Sequence, residues 1–217
     1  LTVKISVYSD YVCPFCFLAK QPLYEVLQER DNIDIEWIPF QQRVQPHNTL
    51  GPEDQSLHWE QFVYPLAKKM GISIVLPNVS PYPGSHLAAE AYYFAKMNGK
   101  ANEYNDRLLH AFFQEQQNIS QVEVLADIAS SVGLDNDACR KALEQRLYRE
   151  VHEKAMAYAY NELGILTAPT FLIGRTKVSG IQSKETLEQI IEQEQKAKKK
   201  KLNLLMNGQS CGTNGCQ

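Results

Sequence analysis

The sequence predicts an α/β protein in which a βαβ unit and a ββα unit complete one sheet, with a large all-helical insertion between them. Three observations carry this. Alternating, β-rich segments lie near the amino terminus, a long stretch of helical patterning follows, and a second strand pair appears after residue 169.

Residues 3–8 alternate, with β-branched and aromatic side chains in excess, and read as strand one. After the loop Ser9-Asp10-Tyr11-Val12, a helix starts at Cys13-Pro14-Phe15-Cys16. Cys13 is placed at its N-cap, and Pro14 stands where the first helical residue needs no N–H. Leu18, Leu23, Val26 and Leu27 hold a helical stripe to about Arg30. Pro22 should kink this helix, because it removes one hydrogen bond and clashes one turn back. Ile33, Ile35 and Trp37 alternate with Asp34 and Glu36 as strand two. Strand–helix–strand in this order predicts parallel pairing with a right-handed crossover.

Residues 40–57 read as loop, with Pro46, Gly51 and Pro52 as breakers. Helices are expected over 59–70, 85–97 and 101–116. A fourth, over 120–132, starts with Ser120 and Glu123 as a capping box. A fifth starts at Asp135, and a sixth runs over about 146–163, stopped by Gly164. Residues 170–173 and 176–179 form a hairpin across Gly174-Arg175, and a last helix covers about 184–200. With the helical block removed, this is the pattern of a thioredoxin fold. The expected division is a discontinuous thioredoxin domain over 1–40 and 164–200, an insertion over 41–163, and a flexible arm over 201–217. Within the arm, Leu202, Leu204, Leu205 and Met206 are apolar enough to dock it onto the body.

The 217 residues are 44% hydrophobic and 22% charged, ordinary for a globular protein. A net charge of −3 argues against nucleic acid as the main partner. No apolar run approaches the roughly 20 residues that span a bilayer, and no membrane partner is expected. The first residues read directly as a strand rather than a leader, and a cytoplasmic setting is expected. The five cysteines are too sparse for a disulfide scaffold, and four of them sit in two close pairs at opposite ends. That distribution suits redox or metal chemistry.

A thiolate does disulfide chemistry, and a helix N-terminus favours the anion at Cys13. Two intervening residues bring Cys16 back onto the same turn, deeper along the helix, where it can resolve a mixed disulfide from behind. The competing reading of this pair is a metal knuckle. Its place directly after a strand favours redox, and no metal is expected. Pro169, in Thr167-Ala168-Pro169-Thr170, cannot donate to a sheet ladder and belongs at a strand start. A cis Ala168–Pro169 bond would expose backbone beside the cysteines for a substrate chain to pair with. A trans proline that merely breaks the loop is the commoner case on spacing alone.

Together, Ser9-Asp10-Tyr11-Val12-Cys13-Pro14-Phe15-Cys16, the helical insertion and Ala168-Pro169-Thr170-Phe171 closely resemble the DsbA-like thioredoxin family. More narrowly, residues 1 to about 195 resemble its FrnE-type dithiol–disulfide isomerases. The resemblance implies a protein-disulfide oxidoreductase or isomerase. Cys13 would be the nucleophile, Cys16 the resolving thiol and Pro169 the cis-proline, with Pro14, Phe15 and Ala168 also bordering the substrate. The redox-active disulfide would serve in place of a bound cofactor, with possible exchange with glutathione. Partners would be protein or peptide thiols and disulfides, and the chain a monomer or homodimer. Members of that branch often carry a C-terminal C-x4-C pair, which Cys211 and Cys216 match, so these are candidates for a second redox pair that exchanges with the first. An inert tail and a four-thiolate zinc site are the alternatives there. The Pro-Phe dipeptide departs from the more familiar Pro-Trp or Pro-His, which leaves the direction of electron flow open. Kappa-class glutathione transferases and related isomerases share the scaffold but usually lack the second cysteine. A thioredoxin-like chaperone that holds unfolded chains is the competing class. Cys139 reads as core and His86 as a surface histidine. Asp10 reads as a loop cap or proton carrier, and 198–201 as the basic end of the last helix.

Overall fold

The computed structural model describes residues 2–42 and 52–208. Strand β1 (Val3–Ser9) leads into α1 (Pro14–Leu18) and α2 (Lys20–Gln28), followed by β2 (Ile33–Pro39). The helical block holds α3 (Pro52–His58), a π-helical turn (Trp59–Val63) and α4 (Tyr64–Met70). It continues with α5 (His86–Met97), α6 (Ala101–Phe113), α7 (Val122–Ser131), α8 (Asn136–Glu144) and α9 (Arg149–Asn161). The sheet resumes with β3 (Thr170–Ile173) and β4 (Thr176–Ser179), and α10 (Lys184–Gly208) follows. The strand order is β2-β1-β3-β4. β1 pairs in parallel with β2, Val7 opposite Trp37, and antiparallel with β3, Tyr8 opposite Thr170. This is the thioredoxin fold with its helical insertion.

The alternation in β1 sorts the core. Val3, Ile5 and Val7 are buried in the main cluster with Leu18, Leu23 and Val26 and with Leu187 and Ile191 of α10. Tyr8, on the other face, packs in a smaller cluster with Cys16, Phe40, Ala159, Ile165 and Ala168. The cysteine pair therefore rests on this second face, where β1 ends.

Pro22 acts as its chemistry requires. It offers no N–H to the Leu18 carbonyl, and the helix divides at Ala19 into α1 and α2. Pro65 does the same to the Gln61 carbonyl. The Tyr64 N–H then reaches back five residues to Trp59, which makes the π-helical turn. Three expectations are corrected. The loop expected to residue 57 already becomes helix at Pro52, because proline is suited to a first helical turn. Ser120 builds no capping box: its hydroxyl donates to Asn118 Oδ1 at 2.6 Å, and Gln121 takes the N-cap. α10 runs past residue 200 to Gly208, so the first part of the expected arm is helix. Leu202, Leu204, Leu205 and Met206 are exposed on it rather than docked. Cys211 and Cys216 lie outside the described residues.

Candidate active site

Cys13 is the N-cap of α1, with extended backbone (φ −94°, ψ 115°) and Pro14 at the first helical position. Its carbonyl accepts from the Cys16 N–H at 3.0 Å, which closes the turn and stacks the two cysteines. The Cys13 side chain is partly exposed, and its Sγ donates to the Ala168 carbonyl at 3.7 Å. Cys16 is 1% exposed. Burial, and then its hydrogen bond to Cys13, push the Cys16 thiol well above the ordinary cysteine range. The two thiols thus differ in kind: one faces the groove, the other stays protonated behind it.

The Ala168–Pro169 peptide bond is cis. The segment is fixed from both sides: the Gly180 N–H donates to the Pro169 carbonyl at 2.8 Å, and Thr170 Oγ1 donates to the Thr167 carbonyl at 2.7 Å. The strand pairing of β1 with β3 brings this turn, far away in sequence, against Cys13.

A cavity of about 340 Å³ opens over the pair, lined by Cys13, Pro14, Phe15 and Ala168 together with residues from the insertion. His58 meets the Phe15 ring edge-on at 6.0 Å, and Trp59 and Tyr82 close the wall. The Tyr82 hydroxyl donates to the Val12 carbonyl at 3.1 Å and so ties the insertion to the cysteine loop. The sequence gives no signal for His58, Trp59 or Tyr82 as site residues, since only the tertiary path of the insertion brings them here. Asp10 and Gln42 line the same cavity. His86 lies away from it, exposed at the start of α5 and near Arg146 and Glu90; partial desolvation and then the Arg146 charge lower its pKa. Cys139 is fully buried in α8, and burial pushes its thiol up to about 12. Among the described residues no group of three or more His, Cys, Asp or Glu side chains stands close enough to hold a metal ion. No helix among them is long and apolar enough to cross a membrane.

The family model of the DSBA-like thioredoxin domain matches residues 4–192. The protein YwbO of Bacillus subtilis (strain 168) is 43% identical over 201 residues, covering 91% of this chain and all of that one. A putative protein disulfide isomerase from Nitrosomonas europaea shares the fold with a TM-score of 0.75 at 14% identity, over 91% of this chain and 99% of that one. A probable DsbA oxidoreductase from Streptomyces coelicolor gives 0.73 at 21% identity, over 88% and 89%. Identities this low speak for the fold alone. The family model spans nearly all of the sheet and the whole insertion, and on that ground this chain belongs to the DsbA-like thioredoxin family of thiol–disulfide oxidoreductases.

Proposed function

We propose that the chain exchanges disulfides with protein or peptide substrates through Cys13 and Cys16, as an oxidoreductase and isomerase. The observation that carries this is the asymmetry of the pair: Cys13 open to the groove at a helix N-terminus, Cys16 buried directly behind it. In reduction, the Cys13 thiolate attacks one substrate sulfur. The substrate S–S bond breaks, a Cys13–substrate disulfide forms, and the released substrate thiolate takes a proton. Cys16 then loses its proton and attacks Cys13 Sγ, and the second substrate thiol leaves. Two electrons have passed to the substrate and the pair is a disulfide. In oxidation the same steps run backwards. In isomerisation a second substrate thiolate, rather than Cys16, displaces Cys13.

The Ala168 carbonyl supports a peptide substrate. It accepts from the Cys13 thiol in the resting protein. Once Cys13 is in a mixed disulfide, that S–H is gone and the carbonyl can accept a substrate backbone N–H. In a reducing cytoplasm the dithiol form predominates, and reduction and isomerisation are the directions expected. Glutathione can return the pair to the dithiol by the same exchange, two glutathione thiols giving one glutathione disulfide.

Insulin reduction with a thiol donor tests this. Cys13→Ser should abolish turnover, and Cys16→Ala should accumulate a mixed disulfide on Cys13 detectable by mass spectrometry. Turnover that survives in Cys13→Ser would refute the assignment. Client-holding without turnover in the parent protein would instead make the chain a binding module.

A further inference from the structure

We propose that Asp10 is a positioning residue that sets how fast Cys16 resolves the mixed disulfide; this rests on the roles assigned above to Cys13 and Cys16. Asp10 is 2% exposed. Its carboxylate accepts from two backbone amides on different elements. Oδ1 takes the Val12 N–H at 3.2 Å, in the loop that launches α1, and Oδ2 takes the Gln42 N–H at 3.0 Å, just past the end of β2. One side chain thereby clamps the cysteine loop to the exit of the neighbouring strand.

The clamped backbone touches both cysteines. The Asp10 carbonyl accepts the Cys13 N–H at 3.1 Å, and the Asp10 N–H donates to Cys16 Sγ at 3.4 Å. In the resolving step Cys16 gives its proton to solvent. The Cys13–Cys16 bond then forms as the Cys13–substrate bond breaks, and the leaving substrate sulfur takes a proton. Negative charge develops on Cys16 Sγ on the way. A hydrogen bond to a charged acceptor is about twice as strong as a neutral one, and a donor fixed beforehand needs no reorganisation. The carboxylate has an opposing effect, since its charge disfavours a second anion nearby. At Cys16 the donated amide is the larger influence and the Asp10 charge the smaller. The side chain acts through the clamp, which holds that amide on Cys16 Sγ, and in this way Asp10 speeds resolution. Attack by Cys13 draws on the N-terminus of α1, and the clamp reaches Cys13 only through its backbone N–H and not through its sulfur, so this step is affected less.

Rapid-quench mass spectrometry with a cystine-bridged peptide separates the two steps. In Asp10→Ala, mixed-disulfide formation should stay within about twofold of the parent, while its decay slows by about tenfold, the scale expected when the unclamped loop no longer holds its amide on Cys16 Sγ. Asp10→Ser retains an acceptor near the Val12 N–H but is too short to reach Gln42, and its decay should fall between the two. If Asp10→Ala does not fold, the parent-to-Ser difference carries the same comparison. Decay at the parent rate, or equal slowing of both steps, overturns the proposal. A parent protein that forms no mixed disulfide at all overturns the Cys13/Cys16 assignment beneath it instead.

Discussion

His152, on α9, is 5% exposed, and neither of its ring nitrogens meets a hydrogen-bond partner among the described residues. Its ring lies 6.2 Å from that of Tyr93. Burial lowers its pKa from 6.5 to about 4, against the pull of nearby Glu90. The folded state therefore holds it neutral, whereas the unfolded chain protonates near pH 6.5. Stability linked to His152 is fully present above that pH and is lost as pH falls from about 6.5 towards about 4, by up to roughly 3 kcal/mol. Urea midpoints taken between pH 7 and 4.5 should fall steeply for the parent and less steeply for His152→Leu; equal slopes would refute this linkage. The candidate site residues were more legible in the sequence than this histidine. Cys13, Pro14, Cys16 and Pro169 announce themselves through local chemistry, namely thiols at a helix start and a proline at a strand start. His152 and His58 take their meaning from distant neighbours, Tyr93 in one case and Phe15 in the other.

Elements were legible wherever a local rule acted alone. β3 and β4 follow from two short strand-forming runs around a two-residue turn, and the split at Ala19 follows from Pro22. The rules failed where two competed: Asn118 outcompeted Glu123 for Ser120, and Pro52 opened a helix instead of breaking one. The β3–β4 turn shows how an element is also set by what packs on it. Gly174 has φ +58°, and its N–H donates to the Lys4 carbonyl at 2.9 Å, anchoring the turn to β1. A Cβ there would run into the carboxylate of Glu194 on α10, which is buried and accepts from Thr176 Oγ1 at 2.8 Å. Gly174→Ala should therefore combine left-handed strain with displacement of Glu194 and destabilise by about 2–3 kcal/mol. Denaturant unfolding at neutral pH measures this, and a loss below about 0.5 kcal/mol would show that the turn relaxes freely.

At the scale of the whole molecule, the insertion and the sheet share one continuous core. Phe17 of α1 packs on Phe113 of α6 with centroids 5.4 Å apart, and the Tyr92 hydroxyl donates to the Trp37 carbonyl at 2.7 Å. Lys96 of α5 pairs with Glu36 of β2 at 2.6 Å. Sequence patterning marks a helical block between the two strand pairs but carries no record of these cross-contacts, because each joins residues far apart in the chain. The end of α10 is the opposite case. Its core contacts stop near Glu194, and among the described residues the last side-chain hydrogen bond to the body runs from Lys198 Nζ to the Thr2 carbonyl at 2.9 Å. Beyond it Leu202, Leu204, Leu205 and Met206 are 45–65% exposed. A chain ending at Lys198 loses almost no buried surface, so its unfolding free energy should stay within about 1 kcal/mol of the parent. A chain ending at Gln189 loses Ile190 and Ile191, which are buried against the sheet, and each should cost about 2–4 kcal/mol. Thermal unfolding of the two truncations should separate them by many degrees. If the chain ending at Lys198 were as unstable as the shorter one, the distal helix would have to pack in solution on a surface that the described fold leaves bare. The Cys13 reaction in the longer truncation reports on the tail separately, since Cys211 and Cys216 are gone. Formation and decay of the mixed disulfide at parent rates would confine the chemistry to the first pair, and a change in either rate would bring the second pair into it.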